Sequence, residues 1–203
     1  MANIEVEVKS RIDDIGAFER NLRKAGARRL RDTVESDVYY SHPSRNFART
    51  DEALRIRSAG RRADLTYKGP KLDSRSKSRE EIVIALESAQ ATENAHAILQ
   101  RLGFRKVAGV RKRRRVFVLG RFEICVDRVD GLGDFFEIET QAPKKGYEKV
   151  RDETIALLGR LGGKKMERRS YLELLLLKKG NRPGPGPGPD GRRPNRASGT
   201  KGT

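Results

Sequence analysis

The feature that most constrains this chain is a charge alternation that recurs from one strand-like segment to the next. In Ile4-Glu5-Val6-Glu7-Val8-Lys9 apolar and charged residues take turns. Side chains of a strand point to opposite faces in turn, so Glu5, Glu7 and Lys9 share one face while Ile4, Val6 and Val8 share the other. One such strand usually has its polar face in water. Repetition changes the reading. Arg55 and Arg57 oppose Leu54 and Ile56, Thr66 and Lys68 oppose Leu65 and Tyr67, and Arg79 and Glu81 oppose Ile82, Ile84 and Leu86. Further on, Lys112 and Arg114 share a parity that Arg113 and Arg115 blur. Glu123, Cys125 and Asp127 oppose Phe122, Ile124 and Val126, and Phe135, Glu137 and Glu139 oppose Phe136 and Ile138.

Turn and cap residues set the expected elements. After the first strand, strands are expected at Val34–Ser41, Ala53–Ser58, Ala63–Lys68, Arg79–Leu86, Gly109–Leu119, Arg121–Val129 and Asp134–Thr140, broken by His42-Pro43-Ser44 and Gly69-Pro70. A helix capped by Asp13-Asp14 carries Ile15, Phe18 and Leu22 and stops at Gly26. A second, capped by Thr92, carries Ala95, Ile98, Leu99 and Leu102 and stops at Gly103; a third runs from about Tyr147 to Leu161. Tyr171 to Leu177 fits strand or helix. The order strand, helix, glycine, strands begun at Glu5 returns at Glu81, an offset of about 76 residues that suggests two related halves. Residues 1–177 read as one domain. Residues 178–203, rich in Pro, Gly and basic side chains, read as a disordered tail.

Two architectures accommodate the alternation. An open antiparallel sheet would carry helices on its apolar face and leave its charges in water. A barrel would turn the apolar side outward beneath the helices and line a lumen with charge, and eight strands are the number that closes a narrow one. Charges in a lumen are tolerable only if they pair with one another and with a ligand. By parity, seven bases (Lys9, Arg55, Arg57, Lys68, Arg79, Lys112, Arg114) and six acids (Glu5, Glu7, Glu81, Asp127, Glu137, Glu139) would face inward. The whole chain has 45 Lys and Arg against 28 Asp and Glu, a formal +17, which favours a polyanionic partner. Acids beside those bases would repel a polyanion unless a divalent cation intervened. Carboxylates suit Mg²⁺ or Mn²⁺, whose shell phosphate oxygens complete. A metal–triphosphate complex satisfies both sets. A nucleic-acid-binding sheet is disfavoured, because few aromatics share the charged parity and the acids there oppose phosphate.

Other chemistries are thinly represented. The single cysteine, Cys125, excludes an internal disulfide and a thiolate zinc site and reads as a small structural residue. His96 reads as a surface residue of the second helix. No GxxxxGK(S/T) loop occurs, and Gly131-Leu132-Gly133 is only a tight turn. The longest apolar run, Leu174 to Leu177, is far too short to cross a bilayer, and no signal segment is evident, so a cytoplasmic protein without a membrane partner is expected.

Taken together, the motifs resemble a known family. Glu5-x-Glu7-x-Lys9 is similar to the ExExK signature of the CYTH superfamily, the triphosphate tunnel metalloenzymes. It is followed in order by Arg55-Ile56-Arg57, Thr66-Tyr67-Lys68-Gly69-Pro70, Arg79-Glu80-Glu81, Lys112-Arg113-Arg114, the Asp127 to Gly133 turn, and Glu137-Ile138-Glu139. The resemblance implies an α+β fold with an eight-stranded antiparallel tunnel and helices outside. It implies that Lys9, Arg55, Arg57, Lys68, Arg79, Lys112 and Arg114 grip a triphosphate. Glu5, Glu7, Glu81, Asp127, Glu137 and Glu139 would bind Mg²⁺ or Mn²⁺, with Lys9, Glu7 and Asp127 closest to the chemistry. Tyr39-Tyr40-Ser41-His42-Pro43 and the Asp127 turn most resemble the class IV adenylyl cyclase branch, which converts ATP to cyclic AMP and pyrophosphate and whose members are often dimers. Hydrolysis of tripolyphosphate, thiamine triphosphate or a nucleotide is the alternative, since both activities share these residues. The basic Arg111 to Arg115 run and the Pro-Gly tail depart from the family pattern.

Overall fold

The structure, a computed structural model, describes residues 3–180. Eight strands, β1 (Asn3–Arg11), β2 (Arg28–Ser41), β3 (Ala53–Ala59), β4 (Arg62–Lys68), β5 (Arg79–Leu86), β6 (Arg105–Leu119), β7 (Phe122–Val129) and β8 (Gly133–Pro143), pair antiparallel. They close into a barrel in the order β1-β5-β4-β3-β2-β6-β7-β8. Of the two architectures open to the sequence, the barrel is the one formed. Helices α1 (Ile15–Lys24), α2 (Phe47–Thr50), α3 (Ala89–Arg101), α4 (Tyr147–Arg160) and α5 (Tyr171–Lys178) complete the described residues. The halves echo each other as expected, with α1 following β1 and α3 following β5, three strands after each.

The main core lies outside the barrel. Val8, Phe117, Ile124, Val126, Phe136 and Ile138 point outward and are buried against Phe18 and Leu22 of α1 and Leu157 and Leu158 of α4. On the other flank, Leu99 of α3 packs with Tyr40, Phe47, Leu54 and Ile56. Helix α5 does something different: Tyr171 and Leu174 pack on Tyr39, Val110, Val129 and Phe135. These four share the parity of the charged residues, so α5 closes one end of the lumen with a small apolar plug.

Several local readings shift. α3 begins at Ser88, whose side chain accepts from the Ala91 N–H at 3.0 Å; Thr92 lies one turn inside and donates back to the Ser88 carbonyl at 3.0 Å. Ala89, Gln90 and Ala91 are good helix formers, so the earlier cap wins. The ambiguous Tyr171–Leu177 segment is a helix because a capping box starts it: Ser170 Oγ accepts from Glu173 N at 3.1 Å and the Glu173 carboxylate accepts from Ser170 N at 2.6 Å. β2 and β6 are longer than expected and pair from Arg28↔Val118 to Ser41↔Arg105. Their extensions are exposed and basic, without the alternation that marks a half-buried strand. Gly26 and Gly103, at φ 88° and 85°, end α1 and α3 in the left-handed turn expected of them.

One stretch departs from the apolar-outside rule. Ile82 and Ile84 point outward as parity requires, yet no helix covers them, and they are 56% and 57% exposed. The tail expected from residue 178 lies outside the described residues, apart from 178–180, where α5 extends through Lys178.

Candidate active site

The inward faces of the strands surround a cavity of about 610 Å³. Every charged residue expected inside lines it except Lys9 and Asp127. Pairing of β1 with β8 sets Glu7 opposite Glu139 and Lys9 opposite Glu137, so the two-residue carboxylate spacings meet across one seam. Glu7, Glu137 and Glu139 bring carboxylate oxygens within 4.8 Å of one another. Glu5 and Glu81 continue the acidic wall and bracket Lys68, which bonds to Glu81 and lies 3.9 Å from Glu5.

Burial shapes the ionisation of this wall. Removal from water, reinforced by the charge on Glu137, raises the Glu7 pKa despite Lys77 beside it. Burial lifts Glu139 to about 8 against the pull of Arg114, and lifts Glu5 to about 7 against that of Lys68. Glu137 goes the other way: burial opposes its charge, but Lys77, Arg114, Lys112 and Lys9 outweigh it and hold the carboxyl well below its usual range. The wall thus carries more carboxylates than its own cations can keep ionised. Hard oxygen donors this close and short of positive charge fit a divalent cation of the Mg²⁺ or Mn²⁺ type.

Facing the acids is a basic wall braced by further carboxylates. Arg57 forks onto Asp37 with bonds of 2.7 and 2.8 Å and reaches Glu35 at 2.9 Å. Arg55 touches Thr66 at 3.3 Å, and its buried Nε has no partner among the described residues. Arg114 forks onto Asp127 at 2.7 and 2.6 Å and also bonds Glu137. Lys112 lies 3.2 Å from both Glu35 and Asp127. Arg79 lines the cavity and lies 3.8 Å from Asp51.

Lys9 and Asp127 sit behind this surface. Lys9 is completely buried; its Nζ donates to the Arg169 carbonyl at 2.6 Å, stands 4.0 Å from the Tyr171 ring centroid and lies 3.9 Å from Glu137. Burial, with Lys77 nearby, lowers its pKa to about 7. Asp127 is also fully buried, and besides Lys112 and Arg114 it accepts from the Tyr171 hydroxyl at 2.9 Å. Both therefore touch the cavity through neighbours.

Three charged groups of the site were not identified from sequence. Glu35 and Asp37 lie on the lumen face of β2, and the parity signal was present in Glu35-Ser36-Asp37-Val38-Tyr39. Lys77 had no such signal, because it comes from the loop between β4 and β5. That loop folds inward: Asp73 accepts from the N–H groups of Arg75 and Ser76, and Arg168 donates to the carbonyls of Asp73 and Ser76. Lys77 then bonds Glu7 and reaches Glu137 at 3.4 Å. His96 is half-buried rather than a surface residue, bonded through Nδ1 to the Tyr40 hydroxyl. Cys125 is fully buried, and burial pushes its thiol pKa well up, in keeping with a structural role.

Apolar side chains of Phe47, Ala48, Val107, Leu172 and Leu176 also line the cavity. An eight-stranded antiparallel tunnel with opposed acidic and basic walls defines the class, and comparison with known proteins agrees: residues 3–171 match the CYTH domain. The chain belongs to the CYTH family. It is 38% identical to the protein MJ0240 of Methanocaldococcus jannaschii over 174 residues, 84% of this chain and 98% of that one. It is 30% identical to adenylate cyclase CyaB of Aeromonas hydrophila over 177 residues, 84% and 87% of the two chains. Among solved structures, the PH1819 protein of Pyrococcus horikoshii superposes with a TM-score of 0.79 at 39% identity, covering 86% of this chain and 99% of that one. No helix among the described residues is long and apolar enough to cross a membrane.

Proposed function

We propose that this protein is a metal-dependent enzyme of the class IV adenylyl cyclase type, converting ATP to cyclic AMP and pyrophosphate in the cytoplasm. The observation that carries this reading is the lining of the cavity between the charged walls. Its charged lining suits a metal–triphosphate, and its apolar lining by Phe47, Val107, Leu172 and Leu176 suits an organic group that inorganic tripolyphosphate lacks. The adenylate cyclase name of the Aeromonas relative points the same way.

Glu7, Glu137 and Glu139 would hold Mg²⁺ or Mn²⁺, with Glu5 and Glu81 along the same wall. The bound cation supplies Lewis acidity at the phosphate oxygens. Arg55, Arg57, Lys68, Arg79, Lys112 and Arg114 hold the phosphate chain. They also neutralise the charge that builds on pyrophosphate as the ribose 3′-oxygen, its proton passing to solvent, bonds to the α-phosphorus and the bond from that phosphorus to the α–β bridging oxygen breaks. Asp127 fixes Arg114 and Lys112, and Lys9 steadies Glu137 from behind; both are positioning residues here.

The test is product identification. The purified chain is incubated with ATP and, separately, tripolyphosphate, each with Mg²⁺ or Mn²⁺. Cyclic AMP plus pyrophosphate from ATP is the expected result. Orthophosphate as the sole product would replace the reading with a triphosphatase, and binding without turnover would replace it with a triphosphate-binding protein.

A further inference from the structure

The outer surface of the barrel is not apolar all the way round. Helices α1 and α4 cover Phe117, Ile124, Val126 and Phe136, and α3 covers Tyr40, Leu54 and Ile56. Between these covers the outward residues of β2 and β6 are exposed, and on β6 they are Arg111 and Arg113. Strand register lays the open face out as a grid. Ser58 of β3, Ser36 of β2 and Arg111 stand in one row across the sheet; Val34, Arg113 and Arg128 of β7 stand in the next. Rows on one face are about 6.8 Å apart, two residues of strand rise, and neighbouring strands about 4.8 Å apart. Arg115 continues the line toward α1 and bonds Glu19, to which Arg23 also bonds at 3.3 Å. The acids on this side are Glu19, Asp32, Asp130 and Asp134, and three of them are already bonded to Arg115, Arg29 and Arg128. Arg111 and Arg113 join no ion pair among the described residues. An unpaired guanidinium cannot lie beneath an apolar helix, so the Arg111 to Arg115 run keeps this part of the barrel open.

We propose that this face binds the phosphate backbone of duplex nucleic acid without reading its sequence. Guanidinium forks and hydroxyls are the groups that position a protein on phosphate oxygens, and the grid offers both in Arg111, Arg113, Ser36 and Ser58. The acidic wall that opposes phosphate lies on the other side of the sheet, inside the lumen. A duplex suits this face better than a single strand, because no aromatic side chain stands in the grid to stack an unpaired base. An anionic membrane suits it less, because Val34 is the one apolar side chain of the grid and interfacial binding needs an apolar face to insert. The formal charge of +17 adds long-range attraction for any polyanion, and the two unpaired arginines give that attraction a place to act. The proposal is independent of which triphosphate reaction the cavity performs.

Fluorescence anisotropy of a short labelled DNA duplex of mixed sequence, titrated with the full chain, tests it. Micromolar binding is expected at about 50 mM KCl, weakening steeply toward about 200 mM. The double variant Arg111→Gln with Arg113→Gln is expected to bind about 10-fold or more weakly at the lower salt. Its plot of log affinity against log salt should be shallower by about 1.8, since each lost phosphate contact removes about 0.9. Both side chains are exposed, so the thermal melt and the triphosphate turnover of the variant should match the parent. Arg57→Gln, inside a lumen that a duplex is too wide to enter, should leave duplex binding unchanged and serves as the control. Three results overturn the proposal. The first is no duplex binding by the unaltered chain at low salt. The second is duplex binding that the double variant leaves intact, which would move the contact to other basic residues. The third is capture by phosphatidylserine vesicles or polyglutamate without affinity for the duplex.

Discussion

Asp127→Asn probes the bracing of the basic wall most directly. Asp127 has no exposed surface and takes four contacts: two from Arg114, one from Lys112 and one from Tyr171. Asparagine keeps the shape but removes the charge and turns an amide N–H₂ toward donors. Breaking a buried ion pair from one side costs about 3–5 kcal/mol. Arg114 keeps Glu137 and Lys112 keeps Glu35, so the low end applies, about 3 kcal/mol. For a chain of this size that lowers Tm by roughly 6–12 °C. Tripolyphosphate with Mg²⁺ should close most of the gap, because the ligand supplies the missing negative charge beside Arg114 and Lys112 and binds only the folded state. Thermal melts of both proteins, with and without that ligand, check this. A variant that melts within about 2 °C of the parent, or a gap that saturating ligand leaves untouched, would refute the idea that Asp127 acts as an internal counter-ion.

Three further outcomes are expected. Glu7→Gln should reduce metal-dependent turnover by about 100-fold while lowering the melt less than Asp127→Asn does, since Lys77 loses one carboxylate partner but keeps Glu137; a collapsed fold with normal activity per folded molecule would return β1 to a structural role. Stability should fall with acid, because Lys112, Arg114 and Arg57 overcome burial to hold the Glu35 pKa at about 2, and Arg57 and Arg55 likewise hold Asp37 below its usual range. That contribution is present above the unfolded value near 4 and is lost as pH drops toward 2; without metal, the raised Glu5 and Glu139 work oppositely, costing stability as pH climbs from about 5 to 8. Denaturant midpoints across pH, with and without Mg²⁺, check both limbs, and Mg²⁺ should flatten the upper one. Arg168→Ala frees the loop that carries Lys77 and should raise KM by about 10-fold with less effect on kcat, measured by steady-state kinetics.

Parity made the lumen legible. Once strands alternate, each charged residue declares its side, and Glu5, Arg55, Lys68, Arg79, Arg114 and Glu137 reach one cavity from six strands. Depth was not legible, because alternation gives a face but not a distance along the barrel axis. Lys9 and Asp127 share the inward face yet lie under α5, whose helical start depends on the Ser170–Glu173 box rather than on its ambiguous leucines. Lys77 escaped for a different reason: a loop has no period, and only the Asp73 turn and Arg168 carry it inward. The exposure of Ile82 and Ile84 was hidden because an apolar face looks the same in sequence whether a helix covers it or not.

Lys77 has a wider consequence. Its ammonium group is seated among the carboxylates of Glu7 and Glu137, where burial opposes its charge but those two acids keep its pKa raised. The acidic wall therefore comes with a placeholder of its own, tethered by a loop and held at high local concentration. Any cation entering there competes with a charge already in position, and a monovalent ion gains little by exchanging one positive charge for another. A divalent ion brings one charge more, and that extra charge favours the ionised forms of Glu139 and Glu5 that burial disfavours. Selectivity for divalent over monovalent ions would then come from a resident lysine as much as from the carboxylates themselves.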